Sequence, residues 1–226
     1  MRQIFLDTET TGLYPDHGHR IIEIAAVEMI NRRPTSNHFH VYLNPEREID
    51  LAAQEVHGIT LEFLQDKPLF AKVAQNLVEF IKDAEIIIHN APFDVGFLNM
   101  ELGRIGMQPM LELCDKITDT LKMAKDARPG QRNNLNALCS YFGIDNSRRT
   151  LHGALLDAEL LAEVYMAMTR GQESLMMDLG HQNVMIDQTT KLENQAPLKV
   201  LAADDSELKA HDKYLQGLSK TGVLPW

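Results

Sequence analysis

The sequence predicts an α/β fold in which helices cover a mixed central sheet, and three observations carry this prediction. Apolar segments at about 3–7, 21–30 and 37–43 lie close together along the chain, which is typical of an antiparallel meander of three strands. Beyond them, segments with helical and strand patterns alternate. The 226 residues leave room for one such domain of about 170 residues and a tail.

The segments after the meander extend the sheet and cover it. Apolar residues recur at helical spacing from Leu69 to Ile81, and a β-branched run predicts a buried strand at about 85–89. We then expect a helix at 94–103, a short strand at 111–115, and helices at 118–125, 134–141 and 152–168. The resulting order, βββ followed by αβαβα, is that of a mixed sheet flanked by helices.

The first strand ends in two acids, Asp7 and Glu9, just before Gly12. Successive side chains of a strand alternate between faces, so these two carboxylates point the same way. They would repel each other unless a cation neutralised them. Paired acids on a rigid element are typical of magnesium- or manganese-dependent phosphoryl chemistry. The alternative interpretation is a pair of solvated turn acids.

Two further acids stand at predicted helix starts. Asp94 follows the strand at 85–89, where an Asp is either a helix cap or a site residue. From Asp157, steps of three and four reach Leu161, Val164 and Met168, which are all apolar. Asp157 therefore heads a stripe that faces the core, where an acid is costly to desolvate without a partner.

One histidine, His152, precedes Asp157 by five residues and is followed by Gly153. This separation is about 140° around a helix, so the two side chains do not share a helical face. We expect His152 on the loop or first turn before the last helix. Its ordinary pKa of about 6.5 suits a general base, although a single histidine is also common as a plain surface residue.

In order and context these residues resemble the DEDDh class of 3′→5′ exonucleases. That class has acid-x-acid on its first strand, then His-Asn-x-x-Phe-Asp, which is 89–94 here, and His-x-x-x-x-Asp near its end, which is 152–157 here. Residues 6–12, 56–59, 139–146 and 149–158 further resemble the family of epsilon proofreading subunits of bacterial DNA polymerase III. The resemblance covers nearly all of residues 1 to 170 and implies an RNase H-like exonuclease fold.

The resemblance also implies a mechanism. Two divalent cations, Mg²⁺ or Mn²⁺, are expected to be held by four metal ligands, which are Asp7, Glu9, Asp94 and Asp157. His152 is the implied catalytic base that takes a proton from the attacking water. The reaction would release 5′-mononucleotides from the 3′ end of DNA, and a terminal pocket that admits a frayed base would favour mismatches.

Substrate contacts are likewise implied by the resemblance. Three of the ligand carboxylates, Asp7, Glu9 and Asp157, are expected to meet the substrate. His57, in the motif Val-His-Gly, and Asn90 are expected beside the terminal nucleotide.

The composition changes beyond Gly171, which predicts three regions: an exonuclease domain at 1–171, a linker with a clamp-binding motif at 172–196, and a tail at 197–226. Polar residues are enriched in the linker, and short apolar groups alternate with charge in the tail. Such a tail is too short for its own core and is expected to order on a partner, which the resemblance implies is the polymerase alpha subunit.

The clamp-binding motif is expected at Gln172 and Leu175, with Met177 where the family carries an aromatic residue. The alternative is the frayed end of a Met-rich helix. The resemblance thus implies a sliding clamp as a further partner, and relatives in the family add a small theta-like accessory subunit.

Charge and composition limit the remaining functions. The net charge of −10 has the wrong sign for phosphate-dominated binding, so we expect weak DNA affinity unless metal ions and a partner assist. No charged leader or long apolar segment is evident, which predicts a cytoplasmic protein without membrane contact. Cys114 and Cys139 lack a metal-binding pattern and are expected to be reduced thiols.

Two other functions remain open from the sequence. A stand-alone exonuclease that trims RNA or oligonucleotides would share the same five site residues, although it would not need the linker and tail. A non-catalytic adaptor between polymerase and clamp would need the tail and would not need the acids. Turnover on short RNA compared with single-stranded DNA separates the first alternative, and metal-dependent nucleotide release excludes the second.

Overall fold

The computed structural model describes residues 1–170 and 204–220, and its centre is a five-stranded sheet in the order β3-β2-β1-β4-β5. The strands are β1 (Arg2–Thr10), β2 (Ile21–Ile30), β3 (Arg33–Tyr42), β4 (Glu85–Ile88) and β5 (Lys116–Asp119). The first three form the predicted antiparallel meander. Strand β4 runs parallel to β1, and β5 runs parallel to β4. The predicted mixed sheet is confirmed.

Eight helices in the first described range surround this sheet. They are α1 (Leu51–His57), α2 (Leu61–Leu64), α3 (Phe70–Ile81), α4 (Ala91–Arg104), α5 (Met110–Leu113), α6 (Thr120–Ala127), α7 (Leu135–Phe142) and α8 (Ala154–Met168). A short 3₁₀ turn covers Pro15–His17. In the second range, α9 (Asp205–Lys220) lies within the predicted tail. Across both ranges, every helix is too short or too polar to span a bilayer.

Strand β1 is buried on both faces, and its alternation decides where the site lies. Ile4 and Leu6 pack in one apolar cluster with residues of α3 and α4. Phe5 belongs to a second cluster, with residues of α7 and α8. Because side chains alternate along a strand, Asp7 and Glu9 continue the Phe5 face toward α8.

Most predicted elements agree with the structure. The strand at 21–30 and the helix ending at Ile81 are confirmed. The third strand begins at Arg33 rather than 37, because Asn31 and Arg32 both adopt positive φ and so turn the chain in two residues.

Three parts of the prediction were wrong. The segment at 111–115 is not a strand, since helix α5 precedes β5, which begins only at Lys116. The short segment Met110–Leu113 carries apolar residues on both sides of Glu112 and fits either element, and β5 offers only Ile117 and Thr118 as a strand signal. Helices α1 and α2 were not predicted. Helix α1 buries only His57, so it has no apolar stripe to detect.

Candidate active site

The two acids of β1 lie at the carboxyl end of the central strand. Asp7 is opposite Ala25 and Glu9 is opposite Glu23 in the antiparallel pairing with β2, and the register shifts directly after Glu9. Glu9 is 8% exposed, so it is not a solvated turn acid. Register shifts like the one after Glu9 are common beside functional sites because they redirect side chains.

Asp157 meets these acids from the first turn of α8. It is 3% exposed, as the apolar stripe predicted. Ligand atoms of Glu9, His152 and Asp157 all lie within 4.8 Å of one another. The charges of Asp94, Glu9 and Asp157 all act on Asp7. Electrostatic interactions therefore link all four predicted carboxylates, and two of them, Glu9 and Asp157, belong to the close group with His152.

Asp94 reaches the cluster from the other face of the sheet, in the first turn of α4. Its Oδ1 accepts hydrogen bonds from the backbone N–H of Thr8 at 3.1 Å and the Thr8 hydroxyl at 2.7 Å. It is not the helix cap, because Asn90 holds that position with φ 68°. Asn90 is exposed one turn before Asp94, and no described contact joins it to the cluster.

The four carboxylates are crowded, which shows in their affinity for protons. Burial, with the charges of Asp94, Glu9 and Asp157, raises the pKa of Asp7 well above its usual value. Burial and nearby acids raise the pKa of Glu9 to about 8, and burial raises the pKa of Asp94 to about 7. The site is therefore short of positive charge. Its all-oxygen donors match the preference of hard divalent cations, so these residues fit a metal centre.

Arg149 belongs to this cluster, and the sequence interpretation missed it as a site residue. Its Nε donates to Asp157 Oδ1 at 2.5 Å and its Nη2 donates to Asp157 Oδ2 at 2.7 Å. The side chain is only 6% exposed. The residue lies eight positions before Asp157 in the loop ahead of α8, so no helical periodicity links the two. Only its place inside the stretch 149–158 marked it.

His152 lies in the loop before α8, as predicted, and its side chain is 44% exposed. Its Nδ1 is 3.1 Å from Arg149 Nη2 and 3.5 Å from Asp157 Oδ2. Partial burial and the Arg149 charge lower the pKa of His152, so the imidazole is neutral near pH 7. Its backbone N–H donates to the Val56 carbonyl at 3.0 Å, which ties this loop to the end of α1.

His57 is the last residue of α1, beside this loop. Its Nδ1 accepts the Ile59 N–H at 3.0 Å, so the proton of the neutral ring sits on Nε2. That Nε2 is buried without a hydrogen-bond partner among the described residues, and burial lowers the pKa of the ring. Gly58 follows with φ 72°, and a Cβ there would meet the Leu151 side chain at 2.6 Å, so glycine lets the two segments approach.

Glu23 is the second residue that the sequence interpretation missed. It is 2% exposed on β2, and its two oxygens accept from His40 Nε2 at 2.7 Å and from the Ala154 N–H at 3.2 Å. Ala154 is the first residue of α8, so Glu23 fixes the start of that helix against the sheet and thereby positions Asp157. An acid between two buried isoleucines of β2 was the available signal.

The predicted clamp-binding residues Gln172, Leu175 and Met177 lie outside the described residues. Cys114 and Cys139 are free thiols.

Comparison with known proteins defines the class. The exonuclease (RNase T) family profile matches residues 4–165. The structure of exonuclease X in complex with 5′ overhanging duplex DNA is similar, with a TM-score of 0.60 and 25% identity over 76% of this chain and 93% of that chain. A full-length 3′-exonuclease shares the fold, with a TM-score of 0.64 and 18% identity over 76% of this chain and 82% of that one. The RNase H-like exonuclease fold is thus confirmed.

The most informative relatives match over nearly the whole chain. The DNA polymerase III subunit epsilon of Pasteurella multocida (strain Pm70) is 50% identical over 97% of this chain and 90% of that protein. The subunit epsilon of Escherichia coli (strain K12) is 49% identical over 98% of this chain and 95% of that protein. The chain belongs to the exonuclease family and, within it, to the epsilon subunits of DNA polymerase III.

Proposed function

We propose that this site removes mispaired 3′-terminal nucleotides from DNA on behalf of DNA polymerase III, with the four clustered carboxylates and His152 carrying the reaction. The observation that supports this most directly is the convergence of acids from β1, α4 and α8 beside a half-exposed imidazole. Family membership extends into the tail, since the epsilon relatives match 97% of the chain. A stand-alone RNA-trimming enzyme has no need of that region.

The acids Asp7, Glu9, Asp94 and Asp157 would hold two divalent cations, Mg²⁺ or Mn²⁺. When bound, such ions supply positive charge to the scissile phosphate and activate water. The raised pKa values of Asp7, Glu9 and Asp94 support this assignment, because crowded buried acids are stabilised by a cation. The Thr8 hydrogen bonds to Asp94 orient one carboxylate before any ion arrives.

His152 would accept the proton of the attacking water, and the 3′ oxygen of the penultimate nucleotide would leave. Its lowered pKa keeps the ring neutral and able to accept a proton near pH 7. Its position on an exposed loop leaves it open to the solvent that supplies the water.

His57 would lie beside the terminal nucleotide, at the end of α1 and next to the loop that carries His152. Asn90, exposed at the start of α4, is the second residue expected there. Neither residue needs to distinguish one base from another, so selection would depend on how easily the terminal base frays.

The partners follow from charge and from the tail. A chain with a net charge of −10 gains little from the DNA backbone, so another subunit would have to deliver the primer end. Residues 197–226 would bind the polymerase alpha subunit. Gln172, Leu175 and Met177 would contact the sliding clamp, and a theta-like subunit would cover the nuclease domain, all within the cytoplasm.

A direct assay tests the catalytic part of this proposal. The full chain, freed of metal, is given a primer that is mispaired and labelled at its 3′ end. We expect release of 5′-mononucleotides only after Mg²⁺ or Mn²⁺ is added, faster than from a paired end or from short RNA. Equal release in EDTA would contradict the metal assignment, and a preference for RNA would contradict the proofreading role.

Removal of residues 178–226 tests the partner assignment. We expect the shortened chain to hydrolyse single-stranded DNA at the rate of the full chain, because every proposed site residue precedes the cut. It should no longer co-elute with the alpha subunit in gel filtration. Retained co-elution would contradict the role of the tail, without bearing on the nuclease site.

A further inference from the structure

Arg149 forms hydrogen bonds to a proposed metal ligand, and the proposed reaction gives this contact no role. Both oxygens of Asp157 are engaged by one guanidinium, through Nε and Nη2. The charge of Arg149 also acts favourably on Asp7 and Glu9. A buried guanidinium that pairs bidentately with a carboxylate is strongly held. In this arrangement the Arg149 side chain occupies the positions from which a metal ion would coordinate Asp157.

The same guanidinium also restrains His152. If Arg149 Nη2 donates to His152 Nδ1, at 3.1 Å, the lone pair of Nδ1 is used. The proton of the neutral ring must then lie on Nε2, so neither ring nitrogen remains free to accept another. One side chain thus withholds a proposed metal ligand and the proposed base together.

Arg149 has an alternative conformation available in which its side chain points to solvent. Its loop neighbours Ser147, Arg148, Thr150 and Leu151 are exposed, so a rotation of the long side chain would place the guanidinium in solvent. A divalent cation carries twice its charge and coordinates carboxylate oxygens directly, so the two cations compete for the same acid.

We propose that Arg149 is an internal substitute for the divalent cation, which neutralises the metal-free cluster and leaves Asp157 and His152 when the ion binds. The inference rests on the proposed function in that it takes the cluster as a metal site. It adds that the empty enzyme is stabilised in an inactive arrangement, and that the ion's affinity is set by competition with a residue of the chain.

Calorimetry with Mn²⁺ on the metal-free full chain tests this competition. Replacing the arginine (R149Q) should tighten Mn²⁺ binding by roughly tenfold, a size within the usual range for coupling between two binding equilibria. The matched control is R148Q, which removes the same charge from the exposed neighbouring position and should change the affinity by less than about twofold. Unchanged or weaker binding by R149Q would overturn the proposal.

Thermal unfolding separates this role from a purely structural one. In EDTA, R149Q should melt several degrees below the unsubstituted chain, because Asp157 loses its partner. In saturating Mn²⁺ the two should melt together. Equal destabilisation in both conditions would show a structural residue and overturn the proposal. Absence of Mn²⁺ binding by the unsubstituted chain would instead refute the metal site itself.

A measurement on the unsubstituted chain avoids any dependence on the folding of R149Q. The Nε–H proton of Arg149 can be followed by NMR, with its resonance assigned from its loss in R149K, which keeps the charge and lacks the fork. We expect this proton to exchange slowly with water in EDTA and at least about ten times faster in saturating Mg²⁺, since the hydrogen bond to Asp157 is lost. Undiminished protection in Mg²⁺ would overturn the proposal.

Discussion

Two buried glutamates of the same sheet differ in what surrounds them. Glu9, on β1, is 8% exposed, and Glu85, on the adjacent β4, is 9% exposed. Burial by itself favours a higher pKa for both carboxyl groups. At Glu85, hydrogen bonds from Thr118, Gln3 and Lys116 more than offset burial, and its pKa lies below the usual value. At Glu9 other acids add to burial, and its pKa rises to about 8.

The difference shows how a structural acid can be told from a functional one. Glu85 has donors for its charge, so its carboxylate belongs to the stability of the domain. Glu9 shares its surroundings with other carboxylates and lacks enough donors, which is costly unless a ligand supplies the charge. Burial alone does not distinguish the two residues, whereas the balance of donors and acids around each does.

Neutral substitutions of one acid in the cluster and of Glu85 should have opposite effects on activity and stability. We expect D7N to lower the rate of nucleotide release by about 10³-fold or more, since a metal centre contributes several kcal/mol to the reaction. Its stability in EDTA should not fall, because a neutral amide replaces a buried carboxyl group whose charged form is disfavoured. E85Q should instead leave the rate within about twofold and lower the free energy of unfolding by about 1–3 kcal/mol. Rates are measured with the labelled mispaired primer and stabilities by urea unfolding, and an active D7N would contradict the account.

Replacing the proposed base should have the next largest effect. We expect H152A to lower turnover by roughly 10²- to 10⁴-fold, the usual contribution of general-base catalysis, with Mn²⁺ binding retained in calorimetry. The limb of the pH–rate profile that reflects the histidine should disappear. A profile that kept its shape would rule out His152 as the base.

The pH dependence of stability should be the smallest of these effects. The folded protein holds the Glu9 proton up to about pH 8, whereas the unfolded chain releases it near its ordinary pKa of 4.5. In EDTA the free energy of unfolding should therefore fall, by about 1–4 kcal/mol, as the pH rises from about 5 to about 8.5. Saturating Mg²⁺ should remove the decline.

Two variants sharpen this measurement. E9Q should make the decline in EDTA shallower, because it removes one of the three carboxyl groups whose pKa is raised. E85Q should not, because the lowered pKa of Glu85 makes its contribution vary only at more acidic pH. An identical slope in both variants would contradict the difference between the two glutamates.

The sequence was sufficient for the parts that depend on local pattern. The apolar runs gave the meander and the helix ending at Ile81, and the spacing of Asp7 and Glu9 gave a shared face. Asp157 was recognisable because an acid at the head of an apolar stripe needs a reason to be there. These features repeat with the period of a strand or a helix, so one sequence is enough to detect them.

The rest depends on contacts between distant segments. Arg149 meets Asp157 through the course of a loop, and Glu23 meets the start of α8 from a strand 131 residues away. Neither contact follows from the repeat of a helix or a strand, so a sequence pattern cannot reveal these contacts. Strand β5 was not predicted for a related reason. Its conformation is determined by pairing with β4 more than by the propensities of its own residues.

Four carboxylates from separate elements are proposed to form one cage for divalent cations. Anomalous diffraction from crystals of the full chain soaked in Mn²⁺ locates such ions. We expect two strong peaks among the carboxylates of Asp7, Glu9, Asp94 and Asp157, and none at Glu85. A cluster without manganese, in a crystal that binds the ion elsewhere, would contradict the proposed cage.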